Sequence, residues 1–294
     1  MTETKNLIII DAFSLLYRAF HALPPLTNKK GQPTGAVYGF LLTLFKAIKD
    51  LQSNYIVACF DTPKPTFRHQ EFKEYKIHRP EMPKDIASQI PVMKEVLQAF
   101  NIPIFEKDGY EADDLIATIA QIAKKEADVF ILSGDLDNLQ LVDERVKVYT
   151  LGKGIKDSVI YDNQKVVERF GVQPSQMNDF KALTGDNSDN IPGVPGVGKV
   201  AAADLIQRFG TVESLYQELA TDTAVLKPKI KEALKENKDK ALLSLQLVKT
   251  KKDVPLEFIL EQCKFNGFDR QKVKDIFIEL GFNTLIERLS TIGF

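Results

Sequence analysis

The stretch Asp128–Asn138, DVFILSGDLDN, runs from an almost unbroken apolar segment straight into a pair of aspartates. A short, β-branched-rich apolar run that ends in a polar turn marks a strand buried on both faces of a parallel sheet. Four other segments read the same way: NLIII (Asn6–Ile10), YIVACF (Tyr55–Phe60), IPIF (Ile102–Phe105) and VKVYT (Val146–Thr150). Helical periodicity lies between them, over Gly35–Leu51, Ala87–Phe100 and Glu111–Lys125. Such alternation predicts an α/β fold with a mainly parallel central sheet flanked by helices. Beyond about residue 162 the strand signals stop. Helical segments follow over Asn163–Phe170, Pro174–Leu183, Lys199–Phe209, Lys229–Leu247 and Arg270–Gly281. The expected organisation is an α/β core over 1–182 and a helical region over 183–294.

The acids fall after the strands. Asp11 ends the first and Asp61 the second. Glu111, Asp113 and Asp114 follow the third, and Asp135 and Asp137 the fourth. Loops at the carboxyl ends of parallel strands converge on one crevice. Asp186 and Asp189, in GDNSDNIPGVPGVGKV (Gly185–Val200), can join them. Taken singly, such acids are ordinary helix caps, turn residues or first-turn acids. Gathered together, they repel by several kcal/mol at an effective dielectric of about 20. A hard divalent cation such as Mg²⁺, which prefers oxygen ligands, relieves this. Two such ions about 3.5–4 Å apart are the usual apparatus for in-line attack on a phosphodiester.

Gly193–Lys199 has the G-x4-GK spacing of a phosphate-binding loop, but Val200 stands where that loop needs a hydroxyl. A hairpin between two helices fits better. Pro192 and Pro195 stiffen it, and Gly193, Gly196 and Gly198 allow tight turning. The helix starting near Lys199 then offers free N–H groups to a DNA phosphate; a plain helix–turn–helix corner is the simpler account. A basic segment, Lys64–Lys84, carries Lys64, Arg68, Lys73, Lys76, Arg79 and Lys84 among Phe67, Phe72 and Tyr75. Cations interleaved with rings suit single-stranded nucleic acid; a solvated loop would carry them equally well. On a helix, Lys76 and Arg79 would share a face. A second basic run, Lys227–Lys240, is open to duplex contact or to plain solvation.

Composition narrows the class. A net charge of −1 over 294 residues argues against a uniformly basic nucleic-acid binder. Two distant cysteines, Cys59 and Cys263, and three histidines give neither a disulfide framework nor a zinc site. No apolar run reaches the length of about 18 residues that spans a membrane, and the N-terminus lacks a signal-peptide pattern. A cytoplasmic protein is expected.

Five segments, in order, carry a family resemblance: YRAFHALPPLTNKKGQPTGAVYGF (Tyr17–Phe40), TFRHQEFKEYKIHRP (Thr66–Pro80), GYEADDLI (Gly109–Ile116), SGDLDNLQLV (Ser133–Val142) and GDNSDNIPGVPGVG (Gly185–Gly198). Together they resemble the 5′-nuclease domains of bacterial DNA polymerase I, within the wider flap endonuclease family. The resemblance implies a PIN-like, resolvase-like core, a helical arch over about 64–85 and a helix–hairpin–helix variant over about 186–208. It implies a structure-selective 5′→3′ exonuclease and 5′-flap endonuclease of DNA replication and repair. The reaction would use two or more Mg²⁺ ions, with Mn²⁺ as substitute, and leave 5′-phosphates; K⁺ would sit at the hairpin.

By the same resemblance Asp11, Asp61, Glu111, Asp113, Asp114, Asp135, Asp137, Asp186 and Asp189 are the metal carboxylates. Lys76 and Arg79 are the catalytic cations at the scissile phosphate. Arg18, Phe67, Arg68, Gly193, Gly196, Gly198 and Lys199 are the DNA contacts. The implied partners are flapped, nicked or gapped DNA, RNA primer–DNA hybrids and a polymerase, in cis or in trans, with no membrane. The implied place is the bacterial cytoplasm, at the nucleoid. There are two departures. Lys199 comes one place earlier than in the G-x-K-T-A of relatives, with no Thr, and no polymerase region precedes Phe294. A stand-alone nuclease and an excised domain both fit. Two rival readings are a DNA-junction binder without catalysis and a small-molecule phosphohydrolase; the second leaves the hairpin unexplained.

Overall fold

The computed structural model describes residues 4–152, 157–221 and 223–289. Six strands form one sheet: β1 (Asn6–Asp11), β2 (Tyr55–Cys59), β3 (Ile104–Phe105), β4 (Asp128–Leu132), β5 (Val146–Leu151) and β6 (Ser158–Tyr161). Their order is β3-β2-β1-β4-β5-β6. The first five are mutually parallel and β6 runs antiparallel to β5. β6 has no strong sequence signal because it is an edge strand, exposed at its start and buried only at Tyr161.

β1 shows why the apolar runs fold this way. Leu7, Ile8, Ile9 and Ile10 are all fully buried. Successive strand side chains point to opposite faces. Leu7 and Ile9 therefore join one core, with helix α6 (Ala112–Ala123), while Ile8 and Ile10 join the other. That second core contains α1 (Ala12–Ala22), α2 (Gly35–Leu51) and α5 (Gln89–Ala99). Strand order reverses between β1 and β4, so the connections leave the sheet in opposite senses there. A crevice opens at such a point, outside the carboxyl ends of the strands.

The remaining helices are α3 (Phe67–Glu71), α4 (Lys84–Ala87), α7 (Asn163–Phe170), α8 (Met177–Thr184), α9 (Lys199–Phe209), α10 (Val212–Ala220), α11 (Pro228–Glu236), α12 (Lys238–Val248), α13 (Arg270–Leu280) and α14 (Asn283–Arg288). The expected helix over Lys229–Leu247 is two helices, broken at Asn237. α8 to α12 pack on the α6 side of the sheet. α13 crosses back to the other side, where Phe277 lies 6.0 Å from Phe100 between ring centres.

The arch segment is helical only over α3 and α4; residues 72–83 are turns and irregular chain. The shared helical face expected for Lys76 and Arg79 is therefore absent. Pro80 and Pro83 end helical propagation here. Lys76 adopts a left-handed φ of 57° and Arg79 N donates to Lys76 O at 2.9 Å, so a turn brings the two cations together. Among the described residues, no helix is long and apolar enough to cross a membrane.

Candidate active site

Asp11 is both cap and site residue. It is the N-cap of α1, accepting from Ser14 N at 3.2 Å, while its other oxygen accepts from Ser133 Oγ at 2.6 Å. Ser133 directly follows β4 and also receives Asp135 N at 2.9 Å, so one hydroxyl ties together the two strand ends at the crossover. Asp61, just past β2, accepts from Ala112 N at 2.8 Å and so sits at the start of α6. Glu111 caps that helix, and Asp113 lies in its first turn. Asn138 Nδ2 reaches Asp113 at 3.3 Å. Sequence reading missed Ser133 and Asn138, since a serine after a strand and an asparagine in a turn have many ordinary explanations.

Two lysines bridge the acids. Lys76 Nζ donates to Glu111 Oε1 at 2.8 Å and stands 3.8 Å from Asp189. Lys181 Nζ donates to Asp137 Oδ1 and, at 2.7 Å, to Asp186 Oδ2. Tyr75 is 4% exposed, and its hydroxyl donates to Glu111 at 3.1 Å and Asp189 at 3.3 Å. It is a buried linker rather than the stacking ring its place among the cations suggests. Arg79 remains exposed, and its charge favours ionised Asp61 and Asp189.

Several expected site residues have other tasks. Asp114 is fully buried and takes a two-pronged guanidinium from Arg68, at 2.9 and 2.8 Å, together with Glu111 N and Lys251 N. It therefore anchors Arg68 and offers no open oxygen to the cluster. Arg68 is itself 2% exposed and also donates to Leu247 O and Lys249 O, so it is a structural tie and not a DNA contact. Phe67 is half-buried, with the Arg68 and Lys251 cations 4.5 and 5.1 Å from its ring centre. Arg18 donates to Gly152 O at the end of β5.

The hairpin between α8 and α9 sorts its glycines. Gly193 has φ +60° and is buried; a Cβ there would lie 2.3 Å from Gly185 N. Its N–H donates to Ser244 Oγ at 3.0 Å, so Gly193 builds the turn and does not face DNA. Gly196, Gly198 and Lys199 are exposed at the start of α9, with Gly198 as its N-cap. Val200, in place of the expected hydroxyl, is 87% exposed.

The electrostatics reflect crowding. Burial, with the charges of Asp135 and Asp61, pushes Asp11 up to about 7 against the pull of the Ser133 hydrogen bond. Burial and Asp135 push Asp137 up to about 6 in spite of Lys181. Burial, then Asp11, Asp135 and Asp137, raise Asp113 well above the ordinary carboxylate value. For Glu111, burial opposes ionisation, but Lys76 and Arg68 outweigh it and its pKa is lowered. Lys181 and Ser188 likewise overcome burial at Asp186 and hold it at about 2.

The donor set consists of carboxylate oxygens, with no histidine or cysteine, which suits a hard divalent ion. Asn138 Oδ1 is buried beside them without a hydrogen-bond partner, as an oxygen able to receive a water or cation would be. Among the described residues, however, no three such side chains are arranged to hold an ion. Lysine ammonium groups engage oxygens of Glu111, Asp137 and Asp186 there. The residues fit the ion in chemistry, with ammonium groups sharing their charge.

Raised acids make stability depend on pH. Asp11 and Asp137 bind protons more tightly folded than unfolded, so their contribution is full below about pH 4 and is lost as pH rises through about 6 to 7. In EDTA, the melting temperature is expected to fall between pH 5 and pH 8, and Mg²⁺ should remove most of the fall. A flat profile in EDTA would show that these acids do not repel as placed. Asp186 works in the opposite sense, but only below about pH 4.

Acids at the carboxyl ends of a crossover parallel sheet thus lie beside a hairpin between two helices. The family model of the 5′-3′ exonuclease N-terminal resolvase-like domain matches residues 6–171, and that of the 5′-3′ exonuclease C-terminal SAM fold matches residues 172–271. The chain belongs to the 5′-3′ exonuclease family. It is 44% identical to DNA polymerase I of Bacillus subtilis over 290 residues, covering 98% of this chain and 33% of that one. It thus spans about a third of the length of the polymerase relatives. The 5′-3′ exonuclease of Aquifex aeolicus is 39% identical over 289 residues, 98% of this chain and 96% of that one. The T5 D15 protein, solved with metal ions, superposes with a TM-score of 0.67 at 25% identity, covering 83% of this chain and 89% of that one.

Proposed function

We propose that this protein is a Mg²⁺-dependent 5′-nuclease that hydrolyses phosphodiesters at DNA flaps, nicks and gaps. The observation that carries the proposal is the meeting of acids from three strand ends, from the start of α6 and from the hairpin in one crevice, where Asp11, Asp113 and Asp137 resist ionisation. Asp11, Asp61, Glu111, Asp113, Asp135, Asp137, Asp186 and Asp189 would hold the ions. Bound there, two ions would supply an activated water and stabilise charge on the cleaved phosphate. The D15 protein, which was co-crystallised with metal ions, supports a metal-dependent reading.

The chain's own residues do the rest. Ser133 orients Asp11 and the turn to Asp135 together. Lys76 and Arg79, close to the acids, would turn from them to the scissile phosphate when DNA enters under the arch. The exposed N–H groups at the start of α9, with Lys199, would grip duplex backbone without reading sequence, and the hairpin would hold K⁺. In this reading residues 1–182 form the catalytic core with its arch and 183–294 the duplex-binding region, of which 290–294 lie outside the described residues. The setting would be primer and flap removal in replication and repair, in the bacterial cytoplasm at the nucleoid. An RNA primer–DNA hybrid would be among the substrates and a polymerase among the partners.

The test is a 5′-labelled flap duplex incubated in Mg²⁺, with EDTA and unbranched single strand as controls. A short labelled product cut near the junction, lost in EDTA, is expected. Tight flap binding without cleavage in Mg²⁺ or Mn²⁺ would instead make the protein a junction binder.

A further inference from the structure

Lys181 lies on α8, with only 15% of its side chain exposed. Its ammonium is shared by Asp137, in the turn after β4, and Asp186, which opens the hairpin. Lys76 makes the matching bridge on the other side, between Glu111 at the start of α6 and Asp189 of the hairpin. Each lysine therefore joins one acid of the sheet edge to one acid of the hairpin. Lys181 belongs to none of the motifs that single out the acids, and neither the nuclease reading nor the arch assigns it a task.

We propose that Lys181 is the resident counter-ion of the Asp137–Asp186 half of the site. It holds the two carboxylates together when no divalent ion is present and competes with that ion for the same oxygens. The inference rests on reading the cluster as a divalent-cation site. Three observations carry it. The two acids come from separate elements, and nothing else described bridges their carboxylates. All three partners are largely buried, with side-chain exposures of 15, 28 and 17% for Lys181, Asp137 and Asp186, so the attraction is weakly screened. Lysine also suits a replaceable ion: it is a compact point charge on a flexible stem, whereas arginine is a rigid planar fork. Arg68, two-pronged on Asp114, shows what a permanent tie looks like in the same molecule.

An ordinary strut makes a different prediction from an exchangeable ion. Lys124, which donates to Asp143 at 2.7 Å in the turn before β5, is such a strut at the other end of the sheet and serves as control. Mg²⁺ is titrated into the full chain without DNA, by calorimetry and by thermal melting. Lys181→Met should melt lower than wild type in EDTA and bind Mg²⁺ about tenfold more tightly, equivalent to about 1.4 kcal/mol. Saturating Mg²⁺ should close most of the melting gap. Lys181→Arg, which keeps the charge, should bind no more tightly than wild type. Lys124→Met should lose stability equally with and without Mg²⁺.

Unchanged or weaker Mg²⁺ binding by Lys181→Met would overturn the counter-ion role while leaving the divalent site intact. Wild-type protein that binds no divalent ion would overturn both. Should Lys181→Met fail to fold, Lys181→Gln, which is uncharged but polar, is read by the same titration.

Discussion

Asp113→Asn is expected to lose flap cleavage by about 10²–10³-fold or more, the scale of removing a group that acts on transition-state charge, and yet to raise the melting temperature in EDTA. Burial first, and then the charges of Asp11, Asp135, Asp137 and Glu111, oppose ionisation of Asp113. An amide of the same shape removes one charge from that crowd, so the cation-free fold gains stability. It also takes away a negative oxygen that the cation needs. Gain of stability with loss of function is the signature of a site kept strained for its chemistry. Single-turnover cleavage and melting curves at pH 8 test both halves. Cleavage within tenfold of wild type would place Asp113 outside the reacting centre. A lower melting temperature in EDTA would mean that repulsion there is already relieved.

Arg68→Met is expected to cost about 3–5 kcal/mol, because it leaves the buried charge of Asp114 without its partner. The guanidinium makes two bonds to Asp114, one of 3.3 Å to Glu111, and one each to Leu247 O and Lys249 O. It therefore fastens α3, the start of α6 and the end of α12 to one another. Urea unfolding should show a lower midpoint. Asp114→Asn in the Arg68→Met background should recover part of the loss, since a neutral amide needs no counter-charge. A loss below about 1 kcal/mol, the range of an exposed ion pair, would show that water reaches Asp114. The variant should also cleave poorly, because Glu111 loses one of the two cations that keep it ionised.

These expectations separate what is written locally from what is not. The apolar runs dictate β1, β2, β4 and β5, since a strand buried on both faces has to be apolar throughout. The period of 3.6 residues places α2, α7 and α9 at the ends observed. The positions of Asp11, Asp61, Glu111, Asp113 and Asp135 after strands or at the start of α6 follow from the same pattern, because chain order sets which residue stands at a strand's carboxyl end. The motif order carried the family.

Charge partnership was beyond the sequence. Arg68 sits in a basic, aromatic stretch that reads as a DNA surface; only packing shows that it faces inward, toward an acid 46 residues away. Asp114 adjoins Asp113 and reads as its twin, yet the rotation of about 100° between successive helix residues points it at Arg68 instead. Gly193, like its neighbours, reads as a backbone contact, but close approach to Gly185 uses it for the turn. Lys181 carries no motif, and its place between Asp137 and Asp186 arises only when α8 meets the edge of the sheet. Strand ends and helix periods are properties of neighbouring residues. Which charge answers which is decided by contacts between residues far apart in the chain, where burial makes an unanswered charge too costly to keep.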